Sequence, residues 1–68
     1  MNNKIREFIK DKGLKASDVI KETGLSKSYF YDVMNCNSIP SLTNARKISS
    51  TIGVTLDELF PNKTIKGE

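Results

Sequence analysis

Apolar residues recur along the chain at helical spacing, in short groups separated by turn-forming residues. Ile5, Phe8 and Ile9 fall at i, i+3 and i+4, which predicts a helix over residues 3–12 with one apolar stripe, closed by Gly13 in a left-handed conformation. Val19 and Ile20 mark a second helix over residues 16–23, stopped by Gly24. Its N-terminus is poorly capped: Lys15 stands where Ser, Thr, Asp or Asn is preferred, and Ser17 is the alternative cap if the helix begins later. A third helix opens at Ser26 as N-cap and runs to Asn35, with Phe30, Val33 and Met34 pointing inward. Asn35-Cys36-Asn37-Ser38 then reads as a turn, and Pro40 prevents a helix from passing through. The fourth helix starts at Ser41 as N-cap and ends at Gly53, with Leu42, Ala45, Ile48 and Ile52 on its apolar face. Thr55 followed three residues on by Glu58 has the capping-box form and opens a short fifth helix, in which Leu56, Leu59 and Phe60 turn inward and Pro61 forces a stop.

No stretch alternates like a strand, and there is no repeat or low-complexity segment. The pattern predicts an all-α fold, a compact five-helix domain over residues 1–61, with residues 62–68 as a short flexible tail.

Composition narrows the chemistry. Sixty-eight residues make one domain. A chain of that size buries only roughly 60% of its unfolded surface, too little for a large enclosed cavity beside a separate core. A hydrophobic content of 37% suffices for one core and is too high for a disordered chain. The single cysteine, Cys36, excludes an intramolecular disulfide, and the absence of histidine argues against a zinc site. No signal-like or membrane-spanning run occurs, so a soluble, cytoplasmic protein is expected. No cofactor, metal or small-molecule ligand is expected, and with so short a tail there is no room for a ligand-sensing domain. The net charge is +3, and seven of the 11 bases, against four of the eight acids, lie in the first 27 residues. A modest surplus of this kind is compatible with nucleic acid without demonstrating it.

The segment from Ala16 to Asn35 says more. Two short helices joined by Gly24-Leu25-Ser26 fit the helix-turn-helix arrangement, in which a glycine-containing turn sets a steep angle between helices 2 and 3. Packing of Val19, Ile20, Leu25, Phe30 and Val33 would lock that angle and present helix 3 as a ridge. Such a ridge fits the major groove of B-DNA, roughly 12 Å wide. If Phe30, Val33 and Met34 are inside, then Lys27, Ser28, Tyr31, Asp32 and Asn35 are outside, with Tyr29 at the margin. Lys27 can donate to guanine O6 or N7, Ser28 can pair with several base edges, and Asp32 can accept from cytosine N4. Tyr29 and Tyr31 can touch thymine methyls or phosphates, and equally suit a protein contact. An exposed helix face is polar in most proteins, so this face alone does not decide between the two.

The residues Ile5-Arg6-Glu7, Lys12-Gly13-Leu14, Gly24-Leu25-Ser26-Lys27-Ser28, Asn35, Ile39-Pro40-Ser41-Leu42, Lys47-Ile48, Ile52-Gly53-Val54 and Leu56-Asp57-Glu58-Leu59-Phe60, at their spacing and without insertion, resemble the phage repressor and Cro type of helix-turn-helix domain, also called the xenobiotic-response-element family. The resemblance covers residues 5–60. It implies a five-helix fold that binds double-stranded operator DNA, commonly as a homodimer through the exposed parts of residues 51–60 in the helix 4–5 region. It implies base reading by Lys27, Ser28 and Asp32, with Tyr29 and Tyr31 close by. Phosphate contacts would fall on Lys15, Ala16 and Ser26 around helix 2 and the turn, and on Asn35, Asn37 and Ser38 after helix 3. The chain departs from the family at several positions. Ala16 stands where Gln is frequent and offers only its backbone N–H. Ile20 replaces a small residue at a close helix crossing, and Met34 an acidic one. Cys36 replaces a glycine and is strained if that position needs a positive φ.

The reading that follows is a sequence-specific DNA-binding transcriptional regulator, a repressor by steric blocking in its simplest form. The rival is a protein-interaction adaptor or antitoxin-like module on the same scaffold. An enzyme is disfavoured: there is no histidine and no cysteine pair, Asp57 and Glu58 read as helix-start residues, and no glycine-rich phosphate loop occurs.

Overall fold

The computed structural model describes residues 3–61. Their order is α1 (Ile5–Asp11), α2 (Ala16–Thr23), α3 (Lys27–Met34), α4 (Leu42–Ile52) and α5 (Leu56–Leu59). Residues 62–68, expected from the sequence to form a tail, lie outside the described residues.

Local chemistry sets most boundaries. The Ser26 hydroxyl accepts from the Tyr29 backbone N–H at 3.1 Å, and the Ser41 hydroxyl from Asn44 at 3.2 Å, so both act as the N-caps expected of them. Gly24 (φ 76°) and Gly53 (φ 89°) close α2 and α4 in the left-handed region, where a side chain would be strained. Around Thr55 the capping box is complete. The Glu58 carboxylate accepts from the Thr55 backbone N–H at 3.0 Å and from its hydroxyl at 3.2 Å. Those two hydrogen bonds, helped by the charge of Lys12 and only partly opposed by desolvation, hold the Glu58 carboxyl below the ordinary glutamate value.

The start of α2 is as expected, and that of α1 is not. α2 begins at Ala16 with Lys15 at its N-cap and no side-chain cap, so Ser17 plays no capping role. α1 begins at Ile5 rather than near residue 3, because the Asn3 side chain accepts from the Ile5 N–H at 3.1 Å and ends the helix there. The other end of the same side chain donates to the Val33 carbonyl at 2.8 Å, and the Lys4 N–H donates to the Leu59 carbonyl at 2.8 Å. The start of α1 is thereby stitched to the end of α3 and to α5.

α2 packs chiefly on α4, with α3 against α2 and α5 against α4. The centre holds Ile5, Phe30, Val33, Ile48, Leu59 and Phe60, all essentially inaccessible to solvent, with Ile9, Val19, Ala45 and Ile52 around them. Each fully buried isoleucine, valine, leucine or phenylalanine among them contributes about 1.5–3 kcal/mol. Phe8, Ile20, Met34, Leu42 and Leu56 are only half-buried. Phe8, Ile20, Met34 and Leu56 nonetheless pack against the core, as their inward spacing predicts, from the edges of their helical stripes. Thr23 and Ser49 are buried although polar. Their hydroxyls donate to the carbonyls of Ile20 (3.0 Å) and Arg46 (3.1 Å), three residues back on the same helix. No helix among the described residues is long and apolar enough to cross a membrane.

Candidate nucleic-acid interface

The turn between α2 and α3 is held from both sides. Gly24 donates back to the Ile20 carbonyl at 3.0 Å, and the Leu25 N–H donates to the Thr23 hydroxyl at 3.3 Å. Leu25 is half-buried against the core, and Ser26 then starts α3. The angle between the helices is therefore fixed by a left-handed glycine, a buried threonine and an apolar anchor.

α3 has two unlike faces. Phe30 and Val33 are wholly buried, whereas Lys27, Ser28 and Asp32 are exposed. Ser28, Asp32 and Asn35 follow one another at i, i+4 and i+7, a single row along the outer surface. Met34, at the inner edge, is half-exposed. Tyr29 and Tyr31 are both half-buried and both have protein partners. The Tyr29 hydroxyl accepts from the Asn44 side-chain amide at 3.1 Å. The Tyr31 ring meets Phe30 edge-on, with centroids 6.1 Å apart. The structure thus gathers Lys27, Ser28 and Asp32 on one solvent face and sets the tyrosines at its margins.

The residues expected at phosphates form two groups. At the start of α2, Lys15 is exposed and Ala16 half-buried against the core. Ser26 is exposed, and its hydroxyl keeps a proton to donate while its oxygen caps α3. Beyond α3, Asn35 and Asn37 are exposed and Ser38 half-exposed. The backbone N–H groups of this turn are already used: Asn35 donates to Tyr31, Cys36 to Val33, and both Asn37 and Ser38 to the Asp32 carbonyl, at 2.7–3.2 Å. Any contact made by this turn must therefore come from its side chains. Cys36 has φ 66°, so the position does require left-handed backbone, and a cysteine occupies it.

Two polar residues at this surface were given no role in DNA contact by the sequence. Arg6 on α1 donates through its guanidinium to the Asn35 Oδ1, and Asn44 on α4 holds Tyr29. Their partners lie 29 and 15 residues away, and no local pattern signals either pairing.

Residues 4–61 match the family described as the Cro/C1-type HTH DNA-binding domain. The chain is also 35% identical over 65 residues to the HTH-type transcriptional regulator SlrR of Bacillus subtilis (strain 168). That alignment covers 94% of this chain and 43% of SlrR, so the chain spans less than half the length of this curated relative. No solved structure gives a significant match. With an α2–turn–α3 unit fixed by Gly24, Thr23 and Leu25, and with the family match running through all five helices, this chain belongs to the Cro/C1-type helix-turn-helix DNA-binding family.

Proposed function

We propose that this chain is a sequence-specific transcriptional regulator that lays α3 in the major groove of duplex DNA. The observation that carries the reading is the division of α3 between a fully buried face, Phe30 and Val33, and an exposed face, Lys27, Ser28 and Asp32. The exposed groups offer a cationic donor, a donor–acceptor hydroxyl and an anionic acceptor within two turns of helix, a combination that can tell base pairs apart by their groove edges. Tyr29 and Tyr31 flank them as contacts to thymine methyls or phosphates. Lys15, the Ala16 N–H, Ser26, Asn35, Asn37 and Ser38 surround the reading face as phosphate contacts, which set register without carrying sequence information.

The protein binds a palindromic operator as a homodimer, its two α3 helices one DNA turn apart, roughly 34 Å. Within residues 51–60 the surface open to a second copy consists of Thr51, Gly53, Val54, Thr55, Leu56, Asp57 and Glu58, since Ile52, Leu59 and Phe60 are buried in the monomer. Occupancy of promoter DNA by such a dimer represses by blocking, and the relative SlrR is itself named a transcriptional regulator.

Selection from a pool of random duplexes at two salt concentrations tests this. A palindromic motif, with affinity falling steeply as salt rises, supports it. Replacement of Lys27, Ser28 and Asp32 together by alanine should keep the helical circular dichroism and relax site preference. If no motif is enriched and binding is indifferent to salt, the adaptor reading replaces it, with the Tyr29–Tyr31 side of α3 as the protein-binding surface.

A further inference from the structure

α3 has no basic residue in its last turn, although a helix C-terminus carries a partial negative charge of roughly half an electron. The compensating cation comes from another helix. Arg6, exposed on α1, donates to the Oδ1 of Asn35, the C-cap residue of α3. With its Oδ1 accepting from Arg6, the exposed Asn35 still has its amide NH2 as a donor, and Arg6 keeps its remaining guanidinium N–H groups. Asn35 also ends the outer row that runs through Ser28 and Asp32. Two donor groups, one of them charged, thus stand side by side at the end of the exposed face.

We propose that Arg6 and Asn35 form a clamp for one DNA phosphate per protomer, with Arg6 as its charged member and Asn35 as the group that positions it. The inference rests on the DNA reading above and adds to it a residue on α1. The eight residues of α3 span about 12 Å, similar to the width of the major groove. With the N-terminal residues Lys27 and Ser28 at base edges, the far end of the helix reaches the groove wall, where phosphates and not bases are met. A phosphate approaching a bare helix C-terminus is repelled, and the Arg6 charge reverses that sign. The guanidinium is suited to the task because its planar fork can hold Asn35 and a phosphate oxygen together. The clamp also offsets the alanine at position 16, which brings no side-chain donor to the start of α2.

The test is fluorescence anisotropy of the full chain on its selected site and on an unrelated duplex, each over a salt series, with Tm measured in parallel. Arg6→Ala should weaken both duplexes on the order of tenfold per protomer and lower the salt slope by about 0.9 per protomer, with Tm changed by no more than a few degrees. Arg6→Lys should keep the slope and lose part of the affinity, since the charge remains and the fork does not. Asn35→Ala should weaken binding with little change in slope, and should cost less in the Arg6→Ala background than alone. An unchanged slope for Arg6→Ala, or a loss confined to the selected site, overturns the clamp while leaving the DNA reading in place. Absence of salt-dependent binding by the wild-type chain overturns the DNA reading itself, and the clamp with it.

Discussion

The Tyr29 hydroxyl on α3 accepts a hydrogen bond of 3.1 Å from the side-chain amide of Asn44 on α4. Both residues occupy the third helical position after a serine cap, and both backbone N–H groups are held by that cap. The bond therefore links two rigid helix starts and fixes how the exposed face of α3 is presented. Tyr29→Phe and Asn44→Ala should each lower stability by about 0.5–1.5 kcal/mol, the usual net worth of one hydrogen bond. In urea denaturation the double variant should cost less than the sum of the two, because the second change removes a bond already lost. Additivity within about 0.3–0.5 kcal/mol would mean that the pair is not coupled.

Cys36 holds a left-handed backbone conformation, φ 66°, that costs an ordinary side chain about 1–2 kcal/mol. Glycine relieves that cost but gains chain entropy in the unfolded state, worth roughly 0.5–1 kcal/mol in the other direction. Cys36→Gly should then stabilise the fold by about 0.5–1 kcal/mol. Cys36→Ala separates backbone strain from side-chain contact. It loses the Asn3 amide contact to Sγ at 3.8 Å, as the glycine variant does, but keeps a Cβ in the strained position. It should show no gain in denaturant midpoint. An equal gain from both variants would place the cost of Cys36 in its thiol and not in its backbone.

The division between what was legible in the sequence and what was not follows the range of the interactions. Ser26, Ser41, the Thr55–Glu58 box, Gly24 and Gly53 act on groups within a few residues, so their sequence spacing already states their function. The buried Phe30 and Val33 follow from helical period alone, and with them the exposed Lys27, Ser28 and Asp32. The Asn3–Val33, Arg6–Asn35 and Tyr29–Asn44 contacts join residues 30, 29 and 15 positions apart. They exist only because the fold brings the start of the chain and α4 beside α3, and periodicity within one helix holds no information about them. That Phe8, Ile20, Met34, Leu42 and Leu56 lie on apolar stripes is legible in the spacing, and that they are only partly buried is not, for a related reason. A helical stripe has a width, and only the neighbouring helix decides where burial stops.

Glu58 makes stability depend on acid. Its carboxyl is held below its ordinary value, first by the Thr55 backbone N–H, then by the Thr55 hydroxyl, with Lys12 assisting. Since the folded value lies below the unfolded one, about 4.3, the carboxylate's contribution is fully present above that pH. It is lost as pH falls through the lowered folded value. Glu58→Gln keeps an oxygen that can accept from Thr55 but cannot titrate. The Tm difference between wild type and Glu58→Gln should be constant above about pH 6 and shrink as pH is lowered through about 4. Parallel acid limbs for the two proteins would remove Glu58 from the list of groups that make the fold acid-sensitive.

The two faces of α3 predict opposite consequences for substitutions three residues apart. Phe30 is completely buried and Lys27 exposed. A domain of this size is stable by about 3–10 kcal/mol at typical per-residue values, and truncating a buried phenylalanine to alanine costs about 3–5 kcal/mol. Phe30→Ala should therefore lower Tm by on the order of 20 °C or leave the chain unfolded at 37 °C, since each kcal/mol shifts Tm by about 4–8 °C in so small a domain. Phe30→Leu, which keeps most of the volume, should remain folded. Lys27→Ala should leave Tm within a few degrees of wild type and change only DNA binding. Loss of binding by Phe30→Ala thus reports unfolding, and loss by Lys27→Ala reports a missing contact, and thermal melts of the two variants tell these apart. If Lys27→Ala melts as low as Phe30→Ala, the helix is turned the other way and its outer face has been misassigned.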